Sequence, residues 1–569
     1  MYLCPNCGAE IRFDISSQLM FCEHCDSSFE PTSLDQRGEA DYNEASSGFF
    51  ETEIFECPDC GGEITALPGA MADFCPYCGA SVMLEGRQGQ MKKPLRIIPF
   101  KKTKEECKAA FTNYAKLNWF APKGYSDGSA SDDFRGIYMP YWKYYIHMNG
   151  EFSIDTWEHL SKRTRDYKYY DQYKITGQGQ SRASGGYHDA ASNMADDVSE
   201  AIEPFQRRQE QNFHSAYMAG FYADMDDVPN SVYGRVAAKH GRRAIDSALT
   251  HQIRNETKMK GSPVSGVRYS ASTDSELAMY PVWFMARRIG RGKNNTRVCY
   301  SAVNGQTGKV VADLPVDMKK FALVWLALTA VLTVVLGLIY TIRPMQLMAD
   351  SCLIAIISSV LYYSGIKKVR RREFRTGDLG FMVKNPDQID PRAARKNERY
   401  RKRMMDQIQR TGGDPESIPE VAPENGCLTS LKKFFFWTFI VIVGFALIGP
   451  ILTSVEESSA VRAAALSELF STIGIFVVTI LAIAGLFVKK GVRALRSVHG
   501  SLWLLASVWL CFIVRQYNPH ADELWYIASI AAGLACAFSF LELLKVQNLL
   551  STHPMPQFNR ADKGGGANA

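Results

Sequence analysis

The sequence lacks several short motifs that identify hydrolase and nucleotide-binding active sites. It contains no HExxH segment, and Gly305–Lys309 (GQTGK) does not have the spacing of a phosphate-binding loop. Gly177-Gln178-Gly179 is not followed by the third glycine of a dinucleotide-binding fingerprint. We therefore expect that the protein is not an enzyme.

We also expect no cleavable signal peptide, because Met1 leads directly into the first cysteine pair at Cys4 and Cys7. With 14 Cys in 569 residues, the chain is too long and too poor in cysteine for a secreted disulfide scaffold. These two absences predict that the cysteines lie in a reducing compartment.

Charged residues are nearly absent from several stretches of the second half. Phe321–Ile342 and Phe434–Val455 contain none, and a helix of about 20 apolar residues crosses a bilayer. Four further apolar runs are Leu469–Val488, Ser351–Ile366, Ser501–Val514 and Leu524–Leu541. The shorter runs also fit buried or re-entrant helices. The pattern predicts about six spans, two before a soluble loop and four after it.

Lys and Arg residues gather at alternate ends of these runs. They occur at Lys319–Lys320 before the first run, at Lys367–Arg375 after the second and at Lys489–Arg496 after the fourth. Basic residues mark the cytoplasmic side of a membrane protein, so we expect a multi-pass protein with both termini in the cytoplasm. The cluster at Lys367–Arg375 either contacts anionic lipid or serves only to set this orientation.

Eight of the 14 Cys form four CxxC pairs, arranged as two sets with fourteen residues between the pairs of each set. Zinc prefers four soft ligands in a tetrahedron, and two CxxC turns on facing hairpins supply them. The sequence therefore predicts two zinc ribbons, each holding one Zn²⁺ ion. The eight predicted ligands are Cys4, Cys7, Cys22, Cys25, Cys57, Cys60, Cys75 and Cys78.

Gly8, Gly61 and Gly79 follow the second cysteine of three pairs, where a tight turn is expected. A thioredoxin-like redox role would use a single pair, so four pairs at matched spacing disfavour it. A Cys₄ site leaves no open coordination position, and we therefore expect structural metals. His24 lies inside the second pair; it could replace a cysteine ligand, but we interpret it as an exposed spacer.

Helical and strand patterns alternate between the ribbons and the first apolar run. Lys104–Asn118 has the apolar spacing of a helix, and Arg297–Leu314 predicts a hairpin that turns at Asn304-Gly305. Tyr138–Trp142 and Tyr280–Trp283 resemble each other. We interpret them as a duplicated strand element whose tryptophans pack into one shared core.

The expected fold class is a multi-domain chain. It comprises two small Cys₄ zinc ribbons, a soluble α+β domain with antiparallel strands and an α-helical membrane region of about six spans. The predicted boundaries are ribbon 1 at 1–30, an acidic linker at 31–54, ribbon 2 at 55–83, a soluble cytosolic domain at 95–316, a two-helix membrane hairpin at 320–366, a basic cytosolic loop with a charged helix at 367–433, a four-helix membrane region at 434–545 and a disordered tail at 546–569.

The ribbons are poor in basic residues. Arg12 is the only Lys or Arg of the first ribbon, and the second has none between Cys57 and Cys78. A protein that binds nucleic acid needs a cationic face, so this composition favours docking of another protein and disfavours nucleic acid as a partner.

The chain resembles bacterial membrane proteins that carry TFIIB-type, or helicase-like, zinc ribbons. The similarity covers about residues 1–320, while the six-span layout with its long basic loop exceeds that of shorter members. The matching segments are the CPxCG ribbons, Ile98–Phe100, Gly136–Trp142, Ala219–Tyr222, Tyr280–Trp283 and Asn304–Pro315.

This resemblance implies a non-enzymatic role at the bacterial inner membrane, with SPFH (flotillin-like) proteins and phage-shock protein A as expected partners in envelope stress. We accordingly expect a membrane-anchored adaptor. The alternatives are a membrane-tethered nucleic-acid-binding factor and a transporter or channel. The scarcity of charge inside the apolar runs disfavours the last. The number of subunits stays open, and a homo-oligomer is compatible with the sequence.

Overall fold

The structure is a computed structural model. It describes residues 2–34, 48–70, 72, 74–80, 84–122, 125, 133–157, 162–169, 172–193, 196–256, 264–289, 297–339, 344–375, 378–384, 395, 398–399, 402, 474–489, 495, 499–517 and 521–554. Several predicted segments lie outside these residues. They are all of the predicted span Phe434–Val455, most of the acidic linker, most of the charged helix at Pro391–Arg410 and most of the tail.

Ribbon 1, residues 2–34, is a small antiparallel sheet. Its three strands are β1 (Arg12–Asp14), β2 (Leu19–Phe21) and β3 (Ser28–Phe29). Buried apolar side chains of this ribbon belong to the same core as Phe100 and Trp283 of the soluble domain. The Tyr2 hydroxyl lies 2.7 Å from Ser215 Oγ across this contact. Ribbon 1 therefore packs directly on the soluble domain.

A mainly antiparallel sheet of twelve strands forms the centre of the molecule. Its strands are β4 (Phe49–Glu56), β5 (Glu63–Ala66), β6 (Glu85–Lys92), β7 (Arg96–Ile97), β8 (Arg135–Trp157), β11 (Gln172–Asp189), β12 (Gln211–Asn212), β13 (Tyr222–Ala223), β14 (Val264–Ile289), β15 (Arg297–Asn304), β16 (Val310–Ala312) and β17 (His553–Pro554). Two short strands, β9 (Lys162–Arg163) and β10 (Lys168–Tyr169), pair separately.

The order of the sheet is β12-β7-β14-β8-β13-β5-β4-β6, with β11 on β8 and β15 on β14. Residues 48–92, which include ribbon 2, therefore supply three strands of this sheet, β4, β5 and β6. Residues 55–83 and 95–316, which the sequence analysis divided into two domains, share one sheet because β13 bridges β5 and β8.

Helices cover the sheet. They are α1 (Lys104–Leu117), α2 (Asp196–Ile202) and α3 (Ser231–Glu256). Thr103 and Glu106 form a capping box that begins α1. Alternate residues of β8, such as Tyr144 and Ile146, pack against α3. A Cβ on Gly241 would lie 2.5 Å from Ile146, so the helix approaches the sheet closely there.

The two tryptophan motifs lie on neighbouring antiparallel strands, with Pro281 opposite Tyr138. Trp142 packs in the core beneath α3 and donates to the Val228 carbonyl at 2.7 Å. Trp283 packs with Phe100 in a different core. The expected shared core is wrong, because the antiparallel pairing carries the two tryptophans to separate places.

Strands β15 and β16 form the predicted hairpin. Its turn is longer than Asn304-Gly305: the Asn304 N–H donates to the Lys309 carbonyl at 2.9 Å. Positive φ occurs at Gly308 (75°). The glycine that this turn requires is therefore Gly308, while Asn304 Oδ1 accepts the N–H groups of Gln306 and Thr307.

The described residues of the C-terminal half are mainly helical. The long apolar helices are α4 (Met318–Ile339), α5 (Pro344–Glu373), α7 (Gly474–Lys489), α8 (Gly500–Tyr517) and α9 (Asp522–Leu550), and the short helix α6 (Leu379–Lys384) follows α5. Three helices of the described residues, Leu347–Glu373, Gly500–Tyr517 and Asp522–Leu549, are long and apolar enough to cross a membrane. Membrane association is thus supported with three candidate spans, against the six that the sequence predicts.

The apolar helices contact the soluble domain directly. Strand β17, after α9, pairs with the start of β15. The Arg297 side chain donates to Thr552 Oγ1 at 2.7 Å and to the Leu549 carbonyl at 3.0 Å. Asn548 exchanges two hydrogen bonds of 2.7 Å with the backbone of Val316. The chain therefore returns to the sheet after α9, the last of the apolar helices.

Part of the basic cluster Lys367–Arg375 also makes contacts within the protein. Arg370 is buried and donates to the Val488 carbonyl at 2.6 Å, while Arg372 pairs with Asp313. Lys368 and Arg371 lie exposed. The cluster therefore joins α5 to α7 and to the soluble domain, a role that its sequence position did not suggest.

Candidate metal centres

The four CxxC pairs adopt the same backbone turn. In each, the carbonyl of the first cysteine accepts the N–H of the fourth residue after it. The bonds are Gly8 to Cys4 (2.9 Å), Asp26 to Cys22 (2.9 Å), Gly61 to Cys57 (2.7 Å) and Gly79 to Cys75 (2.9 Å). The donor residue has positive φ in every case, at 75°, 54°, 70° and 68° respectively. This repeated turn places both thiols of a pair on one side of the chain.

The sequence predicts this turn at the three glycines but not at the fourth position. Asp26 occupies it with φ 54°. Aspartate tolerates the left-handed region better than most residues that carry a Cβ. The sequence signal for this turn is that Asp26 directly follows Cys25, as a glycine follows the second cysteine of the other three pairs.

The turns bring the eight predicted ligands together as two groups of four. Site 1 contains Cys4, Cys7, Cys22 and Cys25, and site 2 contains Cys57, Cys60, Cys75 and Cys78; within each, all sulfur atoms lie within 4.8 Å of one another. Four Sγ–Sγ distances are 3.5 Å for Cys4–Cys25, 3.5 Å for Cys7–Cys22, 3.6 Å for Cys57–Cys78 and 3.7 Å for Cys60–Cys75. Zn–S bonds of about 2.3 Å in a tetrahedron require sulfurs about 3.8 Å apart, so the spacing fits.

Site 1 lies at the surface. Cys7 is exposed and Cys25 is partly exposed. Cys25 Sγ lies 3.3 Å from Ser27 Oγ, and hydrogen bonding to Ser27 lowers the pKa of the Cys25 thiol to about 6. His24 is exposed and belongs to neither group, so the expectation that it is a spacer agrees with its position.

Site 2 is enclosed, since all four of its cysteines are buried. Arg288 of β14 covers it: one Nη donates to Cys78 Sγ at 3.1 Å and to Asp59 at 2.7 Å, and Nε donates to the Cys78 carbonyl at 2.6 Å. Hydrogen bonds from the other three thiols and from Arg288 lower the pKa of the Cys78 thiol. Arg288 therefore favours the thiolate that a metal ion needs.

Sequence reasoning did not find Arg288. It stands 210 residues from Cys78 in the chain. Only the position of β14 beside ribbon 2 brings it to the site, where the Tyr300 hydroxyl also donates to the Tyr77 carbonyl at 2.7 Å. No local motif around residue 288 indicates this role.

Both sites can bind a metal ion but offer it no open position. Four thiolates complete a tetrahedral shell, so a bound metal has no place for water or substrate. Within the described part of the chain, no other set of three His, Cys, Asp or Glu side chains gathers in this way. The arrangement is that of structural metal centres, and it defines a protein with two four-cysteine sites on an antiparallel-rich sheet, followed by apolar helices.

Comparison with known proteins identifies one distant relative. The chain is 24% identical over 337 residues to an uncharacterized protein of Bacillus subtilis (strain 168), YdjG. The matched region covers 56% of this chain and 92% of YdjG. No protein-family model matches the sequence. No solved structure matches it either.

Proposed function

We propose that the protein is a membrane-anchored zinc-ribbon adaptor that recruits cytosolic proteins to the bacterial inner membrane. The observation that carries this proposal is the direct connection between the two closed metal sites and the membrane helices. Ribbon 2 lies in the sheet that β17 joins after α9. A partner that docks on a ribbon would thereby be held at a fixed place on the bilayer.

Zinc is the proposed metal at both sites. Four thiolates with tetrahedral spacing are the usual ligand set of structural Zn²⁺, and a reducing cytoplasm keeps such thiols available. An iron–sulfur cluster uses the same ligands but would place the sulfurs farther apart.

Six membrane spans remain the proposed layout, and the directions of the helices support it. A Cβ on Gly474 would lie 2.5 Å from Ile356 near the middle of α5, and Arg370 near the end of α5 donates to the Val488 carbonyl. Helices α5 and α7 are therefore parallel. Lys384, after α5, pairs with Asp227 of the soluble domain. In the proposed layout the chain crosses the bilayer between residues 384 and 474, and the uncharged run Phe434–Val455 is long enough for this crossing.

Ribbon 1 is the proposed docking surface. Residues 2–34 contain five acidic side chains and a single basic one, Arg12, and four zinc-bound thiolates add a further net negative charge. Arg12 itself lies 3.7 Å from Glu10. An acidic surface repels nucleic acid and attracts a basic protein surface. From the family resemblance, we propose SPFH or phage-shock proteins as partners.

The test is co-purification of the full chain from its own bacterium in mild detergent, with zinc measured in the same sample. We expect about two zinc ions per chain and recovery of SPFH or phage-shock proteins. The double variant Glu23→Gln and Glu30→Gln removes exposed charge from ribbon 1 and should lose the partner while it keeps the zinc. Glu151→Gln, an exposed change on β8, is the matched control.

Three results would contradict the adaptor. A purified sample that contains no zinc would contradict the proposal that the two four-cysteine groups are zinc ribbons. Salt-sensitive retention of DNA would favour the nucleic-acid alternative, and ion or solute flux in liposomes would favour a transporter. If the ribbon 1 double variant still recovers the same partners, the docking surface lies outside ribbon 1.

A further inference from the structure

Two large apolar side chains of the soluble domain project into solvent at the end of α1. Trp119 is 83% exposed and Leu117 is 80% exposed. Among the described residues that precede α4, no other large apolar side chain is more exposed. An isolated exposed leucine needs no explanation, but an adjacent exposed tryptophan forms a patch that marks an interaction surface.

This patch adjoins the first apolar helix. The N–H of Asp317 donates to the Phe120 carbonyl at 2.6 Å, and Lys320 Nζ donates to the Ala121 carbonyl at 3.0 Å. The Phe120 ring packs edge-on against Phe321, with 5.1 Å between centroids. These contacts fix the loop 117–121 beside the first turn of α4.

The same turn is where α4 changes from polar to apolar surroundings. Lys319 is exposed, whereas Leu323 and Leu326 are apolar and 71% and 74% exposed. In a membrane-spanning helix, such a change marks the headgroup level, where Lys side chains reach water. Trp119 and Leu117 belong to the loop that is held beside this turn, and they adjoin the exposed Lys116.

We propose that Trp119 and Leu117 insert into the headgroup region of the cytoplasmic leaflet and seat the soluble domain on the membrane surface. The occupant of the patch is thus the bilayer itself, because the loop that carries the patch is held beside the first turn of α4, where Leu323 and Leu326 are exposed. Tryptophan suits this position, since its ring is apolar and its indole N–H can bond to headgroups or water. This inference rests on the proposed membrane anchoring.

The test uses the fluorescence of Trp119 in the full chain reconstituted into vesicles of phosphatidylcholine and phosphatidylglycerol. Subtracting the spectrum of Trp119→Ala from that of the native protein isolates the emission of this residue. We expect a blue-shifted difference emission that brominated lipid quenches and aqueous iodide does not. Phe49→Trp, at an exposed position on β4, provides the reference for a tryptophan in water.

A difference emission that iodide quenches and brominated lipid leaves unchanged would overturn the inference. Carbonate washing of the same membranes separates this failure from that of the anchor. If the chain stays in washed membranes but iodide quenches Trp119, the proposed anchoring still holds and only the insertion of Trp119 into the headgroup region is contradicted. A chain that washing extracts would overturn both.

Discussion

The same residue of the CxxC turn meets different surroundings at the two metal sites. Gly8 and Gly79 both have positive φ, at 75° and 68°. A Cβ on Gly8 would have nothing within 4 Å, whereas a Cβ on Gly79 would lie 2.5 Å from the Ala286 carbonyl oxygen. Gly79 is therefore required both by its backbone conformation and by the close approach of β14.

This contrast gives a matched pair of variants. Gly8→Ala should cost about 1 kcal/mol, the strain of alanine in the left-handed region, and leave site 1 able to hold zinc. Gly79→Ala adds a backbone clash, so it should cost more and release zinc from site 2 faster than in the native protein. Zinc transfer to a chromophoric chelator measures both. Equal release rates for the two variants would show that contact with β14 does not matter.

At the scale of elements, the segment that joins β11 to α3 buries several carboxyl groups. Asp224 is fully buried and accepts from Asn193 Nδ2 at 2.8 Å and from the Met225 N–H at 2.9 Å. Burial raises the pKa of Asp224 to about 7, and burial likewise raises that of Asp196 to about 7. Helix α6 packs here, where the Leu379 N–H donates to Asp196 at 3.1 Å.

These carboxyl groups predict a soluble domain that is less stable in mild alkali than in mild acid. The folded-state pKa of Asp224 lies above its ordinary 3.8, so the folded state binds the proton more tightly than the unfolded state. Stability is therefore lost as pH rises towards about 7. Between pH 6 and pH 8, Asp224 alone should cost about 1 kcal/mol.

Asp224→Asn removes this titration and can keep the accepted hydrogen bonds through its amide oxygen. The difference in thermal unfolding between the native protein and this variant should therefore grow in favour of the variant from pH 6 to pH 8. Comparing the two proteins at each pH cancels the separate pH dependence of zinc binding. A difference that stays constant across this range would contradict the assigned pKa.

For the whole molecule, the contacts at both ends of the membrane region limit its topology. Val316 precedes α4 and Asn548 lies near the end of α9, yet the two residues are hydrogen-bonded. Pairing of β15 with β17 extends the same contact. In the proposed membrane arrangement, this contact places the entry and exit of the helical region on one side of the bilayer, the side that holds both metal sites.

Membrane-impermeant thiol reagents test this arrangement. In intact cells they should not label Cys7, the exposed ligand of site 1, but should label it in inside-out vesicles after zinc removal. Tyr517→Cys, at the 83% exposed end of α8, should show the opposite accessibility and serves as the control. Labelling of Cys7 in intact cells would reverse the orientation and exclude a cytosolic partner.

The sequence by itself determined the eight ligands and their division into two sites. Each set lies within a segment of 22 residues, and the turn that aims its thiols is formed by local hydrogen bonds. The antiparallel character of the soluble domain, the hairpin at Asn304 and the presence of apolar helices also follow from local patterns. Local chain geometry decides each of these features.

Only the tertiary structure decided what surrounds them. Arg288 lies beside Cys78 because distant strands come together. Pairing of distant strands also places Trp283 and Trp142 in separate cores. Phe120 packs against Phe321, which is likewise distant in the chain. Strand pairing fixes such neighbours, and a periodic pattern tells which face of a strand is buried but not which strand lies beside it. For this reason the ligands could be predicted from their spacing, whereas the arginine that covers site 2 and the packing of the Trp119 loop beside α4 could not.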